Sequence, residues 1–341
     1  MWRYLGRRLL VSVVTVAGIV VVVFFIMRVL PGDAAAVRAG PYASEEKLEQ
    51  IREQFGFSDP VPVQFVNYVK DAVTGDLGTS IRTGGEVTEE LLIRLPASLE
   101  LAFYSVLLAV VAGVPVGIAA AARRDTWIDR AARVVAVLGS SMAFFWLGLM
   151  LTFLFFFKLG WFPGPVGRLA ITTQPPETIT GFFTVDAALA GNWGLMGEAF
   201  SYLALPAVTV GFVLSAPIIK IVRSSMIEVL DSEYVRTARA LGVRRREVLF
   251  RDGFRNALIP VTTAIGIIFG YMLGGNIIVE LIFAWPGVGR YAYEALRVND
   301  LEALQGFVIV VGLLYIVLNV VIDFIYSWID PRIKLGQKVV A

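Results

Sequence analysis

The sequence predicts an all-α polytopic membrane protein: six transmembrane helices, both termini cytoplasmic, and a small extracytoplasmic helical cap. Three observations carry this. Of 341 residues, 57% are hydrophobic, above the share of an ordinary soluble domain. The apolar residues fall in runs of about 20, the length that crosses a hydrocarbon core of about 30 Å as a helix. The arginines gather in short stretches between alternate runs, which is the charge bias of cytoplasmic loops.

Each element has its own signal. Trp2 to Arg8 is a basic start with Arg3, Arg7 and Arg8, and Leu9 to Leu30 is the first span. Its length, and the lack of a small-residue cleavage pattern after it, exclude a signal peptide. Residues 31–94 form the cap. Ser44 to Phe55 reads as an amphipathic helix with Leu48, Ile51 and Phe55 on one side and Gly56 as its stop. Pro62 to Val73 reads as a second, Gly75 to Ser80 as a turn, and Glu86 to Leu95 as a third short helix with Val87, Leu91 and Leu95.

Residues 95–341 form a five-span core. Leu99 to Ala122 is the second span, and Arg123, Arg124, Arg130 and Arg133 mark the inner loop after it. Val134 to Phe157 is the third span. Gly160 to Ser201 is an outer loop with Trp161 and Trp193 at interfacial depth. Tyr202 to Val222 is the fourth span, Val261 to Phe283 the fifth and Gly306 to Trp328 the sixth. Ala284 to Gln305 is an outer loop, and Asp330-Pro331-Arg332 begins an inner tail.

Composition excludes several function classes. There is no cysteine and no histidine, which excludes disulfides, haem, zinc and iron–sulfur sites and any Ser/His catalytic set. A net charge of +2 is too small to suggest nucleic acid. No Gly-Lys pair occurs, so a phosphate-wrapping Walker loop is absent and any ATP hydrolysis belongs to another chain. Ionisable residues avoid the span centres: Arg28 and Glu280 lie near outer ends, Lys220 and Asp323 near inner ends. Ion-coupled carriers rely on midplane carboxylates or broken helices, and channels on charged rings or filter loops, so both readings are disfavoured.

The basic segment 223–260 is the most informative. From Glu233 to Pro260 it holds Arg236, Arg239, Arg244, Arg245, Arg246, Arg251 and Arg255. Ser232 can cap a helix in which Tyr234, Ala238 and Leu241 share a face, and Gly242 can close it in the left-handed conformation. Arg244 starts a second helical pattern with Phe250, Phe254, Ala257 and Leu258 on one side, and Pro260 opens the next span. A solvated positive-inside loop accounts for the charge. A docking element for a cytoplasmic partner accounts for the apolar face as well.

The fifth span places Gly266, Gly270 and Gly274 at four-residue spacing, which lets two helices approach closely, within this subunit or across to another. Thr262, Thr263, Tyr271 and Asn276 are its polar residues. They can face a pathway or bond to backbone and neighbouring helices.

The stretch Glu233 to Gly242 resembles the cytoplasmic coupling loop of ABC-importer permeases, and more narrowly that of the dipeptide/oligopeptide family. Tyr234 to Gly242 match that family's Tyr-Val-Arg-Thr-Ala-Arg-Ala-x-Gly, and Arg255-Asn256-Ala257-Leu258 with Pro260 match its next segment. Arg236 and Thr237 stand where the general loop pattern has Glu and its first Ala, a departure usual in the peptide subfamily. Pro31-Gly32-Asp33, Gly75 to Ser80, Leu95 to Leu101 and Trp285 to Arg290 are also similar, so the resemblance covers nearly the whole chain. Ala143 stands where the family usually has proline, which removes the usual cause of a kink in the third span.

The resemblance implies a function and an assembly. Glu233, Tyr234, Arg236, Thr237, Ala238, Arg239, Ala240, Leu241 and Gly242 would couple to an ATPase. Gly266, Gly270 and Gly274 would pack helices, and Thr262, Thr263, Tyr271 and Asn276 would line a pathway. The partners implied are a second permease, two ABC ATPase subunits carrying ATP and Mg, and an extracytoplasmic substrate-binding protein. All would meet in the lipid bilayer of a bacterial or archaeal inner membrane, with no cofactor in this chain and no nucleic acid. The cargo implied is di- or oligopeptide, with oligosaccharides or nickel complexes as alternatives on the same architecture. A stand-alone channel or carrier is the distant alternative.

Overall fold

The structure is a computed structural model that describes residues 2–29, 39, 43–54 and 58–329. Pro31-Gly32-Asp33, Phe55, Gly56 and Asp330-Pro331-Arg332 lie outside the described residues, as do the side chains of Arg28, Tyr271 and Asp323. Among the described residues the chain is helical without β-strands; Thr79 and Glu86 form an isolated bridge. It divides into two compact units, Met1–Pro96 with Pro286–Ile316, and Ala97–Trp285 with Val317–Ala341.

The first unit contains α1 (Trp2–Val29), α2 (Glu45–Gln54) and α3 (Val61–Thr74). Gly75, at φ 83°, ends α3 by donating to the Ala72 carbonyl. Phe24 of α1 is buried against Phe65 and Tyr68 of α3, with ring centroids 5.0 and 5.6 Å apart. A second cluster joins Val87 and Leu91 to Val288, Tyr291 and Ala295 of α13 (Val288–Arg297) and to Ala303 at the start of α14 (Leu301–Ile329). Polar bonds fasten the 75–80 turn to that cluster. Ser80 Oγ donates to Asp300 Oδ2 at 2.6 Å, and Arg82 pairs with Glu294 at 3.1 Å.

The second unit is built around α8 (Trp193–Leu230), a helix of 38 residues with Pro206 and Pro217 inside it. Gly113 and Gly117 of α4 (Val87–Ala122) allow it close approach. A Cβ on Gly113 would lie 2.9 Å from Ile218 Cγ2, and one on Gly117 2.7 Å from Val222 Cβ. Gly211 repeats the arrangement from the α8 side, 2.9 Å from the Ser105 carbonyl. This small-residue contact was not predicted from Gly266, Gly270 and Gly274, of which Gly266 is buried and Gly270 half-buried.

Several elements differ from expectation, each for a physical reason. The third cap helix and the second span are one helix, α4, and Pro96 does not interrupt it. An interior proline costs about 3 kcal/mol. Packing that fully encloses Leu91 and Leu101 on either side of it holds the helix continuous.

The third span is broken into α5 (Trp127–Ser141) and α6 (Phe144–Leu151), the latter running on as a π-helix to Lys158, and the halves meet at 103°. Ala143 therefore sits at a bend without proline. Met142 and Ala143 are both extended, and the flanking helix ends are closed by Met142 N–H to Leu138 and Leu147 N–H to Ala143. Packing on α8 sets this bend: a Cβ on Gly139 would stand 3.0 Å from Ala216, and one on Gly148 3.5 Å from Thr209.

The fifth span is also interrupted, at Asn276, between α11 (Arg255–Gly275) and α12 (Ile277–Ile282). Interrupted helices are therefore present, and only the lack of ionisable residues at the span centres of the sequence disfavours a carrier. Pro260 lies inside α11 rather than opening it. By length and composition, three helices among the described residues can cross a membrane (Val87–Ala122, Trp193–Leu230 and Leu301–Val321), and up to five if each bent pair is one span. Val13–Phe25 of α1 is a shorter apolar stretch.

Candidate functional site

The arginine-rich segment forms one compact arm at the end of α8. Asp231 and Ser232 turn the chain into α9 (Glu233–Ala240). Ser232 occupies the position before α9, yet its hydroxyl donates back to the Val229 carbonyl at 2.5 Å and leaves the α9 N–H groups uncapped. The unpaired carbonyls at the end of α8 compete for it.

Gly242 has φ 80°. Its N–H reaches the Arg239 carbonyl at 3.0 Å, and the Val243 N–H reaches Ala238 at 3.1 Å. These two bonds form a Schellman turn, in which a residue with Cβ would be strained. The turn leads to α10 (Arg245–Glu247) and a π-helix, Val248–Phe254, that merges into α11. The wide π turn shifts the helical register, so the expected face divides: Ala257 is fully buried while Phe250 is 49% exposed.

The arm is held by side chains that the sequence did not single out. Val235 and Val248 are buried in the same core cluster as Met226 and Leu230 of α8. Arg223 of α8 grips the fully buried Asp129 of α5, Nε to Oδ1 at 2.5 Å and Nη2 to Oδ2 at 2.9 Å. The Asp125 N–H and Arg133 also reach Asp129. Arg124 pairs with Asp231 at 3.1 Å, and Arg245 donates to the Ala122 carbonyl at 2.7 Å. Arg124–Asp231 and Arg245–Ala122 thus join the α4–α5 turn to the arm. Between them lies a cavity of about 460 Å³.

The opposite face of α9 is open. Tyr234 and Leu241 are 51% and 79% exposed, Ala238 is half-buried between them, and Arg239 and Ala240 are exposed. Glu233 pairs with Arg236 at 2.9 Å in water, and Thr237 Oγ1 bonds the Glu233 carbonyl. Tyr234 receives a bond from Asn256 Nδ2 at 3.1 Å, which joins the two matched segments across the arm.

The described pathway candidates differ in burial. Thr262 is half-buried and its neighbour Thr263 exposed, while Asn276 is buried at the break between α11 and α12. The Tyr271 side chain lies outside the described residues.

The far end of the second unit holds a buried polar network. Glu100 of α4 accepts from Arg168, from the Thr184 N–H at 2.9 Å and from the Thr184 hydroxyl at 2.6 Å. Arg168 also bonds the Gly181 carbonyl, and its guanidinium lies 3.5 Å from the Phe183 ring centre. Burial pulls the Arg168 pKa down and Glu100 pulls it back up. Asp186, one turn into α7 (Phe183–Leu189), accepts from Thr180 and Gly181. Burial raises its pKa, but those hydrogen bonds outweigh it and hold the carboxyl below its usual range. Nearby, Ser98 donates to the buried Glu280, and Trp285 Nε1 to the Ala97 carbonyl at 2.8 Å. A lone acid in an apolar run, as Glu100 is, was the available sequence signal.

Comparison with known proteins covers nearly the whole chain. A family model described as "Binding-protein-dependent transport system inner membrane component" matches residues 113–335, and the companion N-terminal model matches residues 1–102. The chain is 43% identical to the probable D,D-dipeptide transport system permease protein DdpB of Escherichia coli, over 98% of each chain. It is 38% identical to the dipeptide transport system permease protein DppB of Alkalihalophilus pseudofirmus, over 98% of this chain and all of the relative. It is 36% identical to the glutathione transport system permease protein GsiC of Salmonella choleraesuis, over 98% and 99% of the two chains.

Proposed function

We infer the function from one premise: the chain belongs to the binding-protein-dependent transport inner-membrane components, in their dipeptide/oligopeptide ABC-importer branch. On this reading it is a multi-pass inner-membrane permease that forms, with a second permease, the pathway for short peptides. Similarity to peptide permeases over nearly the full length of each chain carries the reading. Six spans with both termini cytoplasmic place the 223–260 arm inside, where the density of arginine favours it.

The open face of α9, with Tyr234, Ala238 and Leu241, is proposed to seat in a groove of an ATPase subunit. The exposed apolar area supports this, since it gains from being covered. ATP and Mg bind the ATPases, in keeping with a chain that lacks a Walker loop. A substrate-binding protein is proposed to land on the cap and the 284–305 segment and to select the cargo. The pathway itself would be permissive.

Cysteine labelling tests orientation and docking together, because the chain has no cysteine of its own. Arg245→Cys is expected to react with an impermeant thiol reagent only from the cytoplasm, and Thr79→Cys only from outside. Tyr234→Cys is expected to cross-link to an ATPase subunit. Labelling from the opposite sides would overturn the topology. A correctly oriented Tyr234→Cys without any ATPase cross-link would overturn the docking alone.

A further inference from the structure

The cavity between the arm and the α4–α5 turn has a composition that the function above does not use. Its volume of about 460 Å³ is in the range of small-ligand sites. Arg124, Arg239 and Arg245 line it with one carboxylate, Asp231, against walls that include Leu230 and Val248. Arg124 and Asp231 neutralise each other at 3.1 Å. Arg245 spends one donor on the Ala122 carbonyl, and Arg239 is paired with no carboxylate among the described residues. Arg239 and Arg245 thus bring to the lining two charges that its one carboxylate, already paired with Arg124, does not neutralise.

We propose that this cavity is a binding site for a phosphate ester with an apolar body. Two guanidinium groups offer planar pairs of N–H donors that match phosphate oxygens, and the aliphatic walls accommodate the chain beyond the phosphate. Basic pockets at the cytoplasmic ends of spans take anionic lipid head groups by this chemistry, and a free phosphate monoester offers the same anion. The proposal rests on the importer reading only for placing the cavity at the inner leaflet. Occupancy would tie the arm to the α4–α5 turn more firmly than Arg124–Asp231 and Arg245–Ala122 do alone.

The test uses the complete permease–ATPase assembly in detergent. Short-chain phosphatidylglycerol, short-chain phosphatidylcholine and inorganic phosphate are titrated separately, with binding followed by calorimetry and native mass spectrometry. Phosphatidylglycerol is expected to bind, and Arg239→Ala to weaken it about tenfold, equivalent to about 1.4 kcal/mol. The Arg239 side chain is exposed and pairs with no carboxylate among the described residues, and its backbone bond to Gly242 survives truncation, so this variant folds; Arg239→Lys should restore part of the affinity. Inorganic phosphate binding as tightly, with the same Arg239 dependence, would support the site and assign it to a soluble ester. Equal binding of phosphatidylcholine, binding indifferent to Arg239, or no binding to the assembly would overturn the proposal. Binding needs neither peptide nor ATP, so the same titration on the full-length chain purified alone reads the site if no ATPase co-purifies, which keeps a failure of the importer reading distinguishable.

Discussion

The two ends of the second unit use charge in opposite ways. Around Glu100, an arginine, a threonine hydroxyl and one backbone N–H bind the carboxylate out of reach of water. Along α9, Glu233 and Arg236 meet at the exposed surface, and among the described residues Arg239, Arg244 and Arg246 pair with no carboxylate. Burial decides what each is worth. A solvated pair contributes about 0–1 kcal/mol, whereas removing one member of a buried pair strands the other at about 3–5 kcal/mol. One end is fastened by its charges. The outer face of α9 presents them, above the Arg223–Asp129 pair that fastens that end.

The largest test of that contrast is Glu100→Ala. It should lower stability by about 3–5 kcal/mol, seen as a marked fall in the unfolding temperature of the purified complex. Arg236→Ala should change it by no more than about 0.5 kcal/mol. Equal effects from the two variants would erase the distinction.

Gly242→Val comes next. The left-handed position resists a side chain by about 1–2 kcal/mol, confined to the arm. The expected result is intact membrane insertion with reduced peptide uptake per ATP hydrolysed, and unchanged uptake would mean that the turn is dispensable. The smallest effect sharpens the comparison from the opposite direction. At Ala143, φ is −76° and the preceding ψ is 131°, a geometry proline and its predecessor accept. Ala143→Pro should therefore stabilise by about 0.4–1 kcal/mol, and a loss would show that the bend depends on a free N–H there.

What was legible in the sequence follows the same division. Runs of apolar residues and clustered arginines report local facts, so the helices, the basic arm and the Gly242 turn could be read directly. Breaks and continuities set by packing could not. Pro96 reads as a stop, yet the helix continues because Leu91 and Leu101 bury; Ala143 reads as neutral, yet the chain bends because Gly139 and Gly148 seat the two halves on α8. The face of α9 was half legible. Tyr234, Ala238 and Leu241 do lie together, but the residue that anchors the helix is Val235, whose role depends on Met226 and Leu230 arriving beneath it. Asp129 was hidden for the same reason: its partner Arg223 is remote in sequence.

The length of α8 has a mechanical consequence. At 1.5 Å per residue its 38 residues form a rod of about 57 Å, nearly twice the thickness of a hydrocarbon core. Near one end, Glu198 accepts from the Ala170 N–H and the Thr173 hydroxyl; near the other, Arg223 holds Asp129. A rod of that length tilted by about 5° about one end sweeps the other through about 5 Å. Small angular changes at the Glu198 end would thus emerge as near-helix-turn displacements at α9, without any residue in between leaving its rotamer.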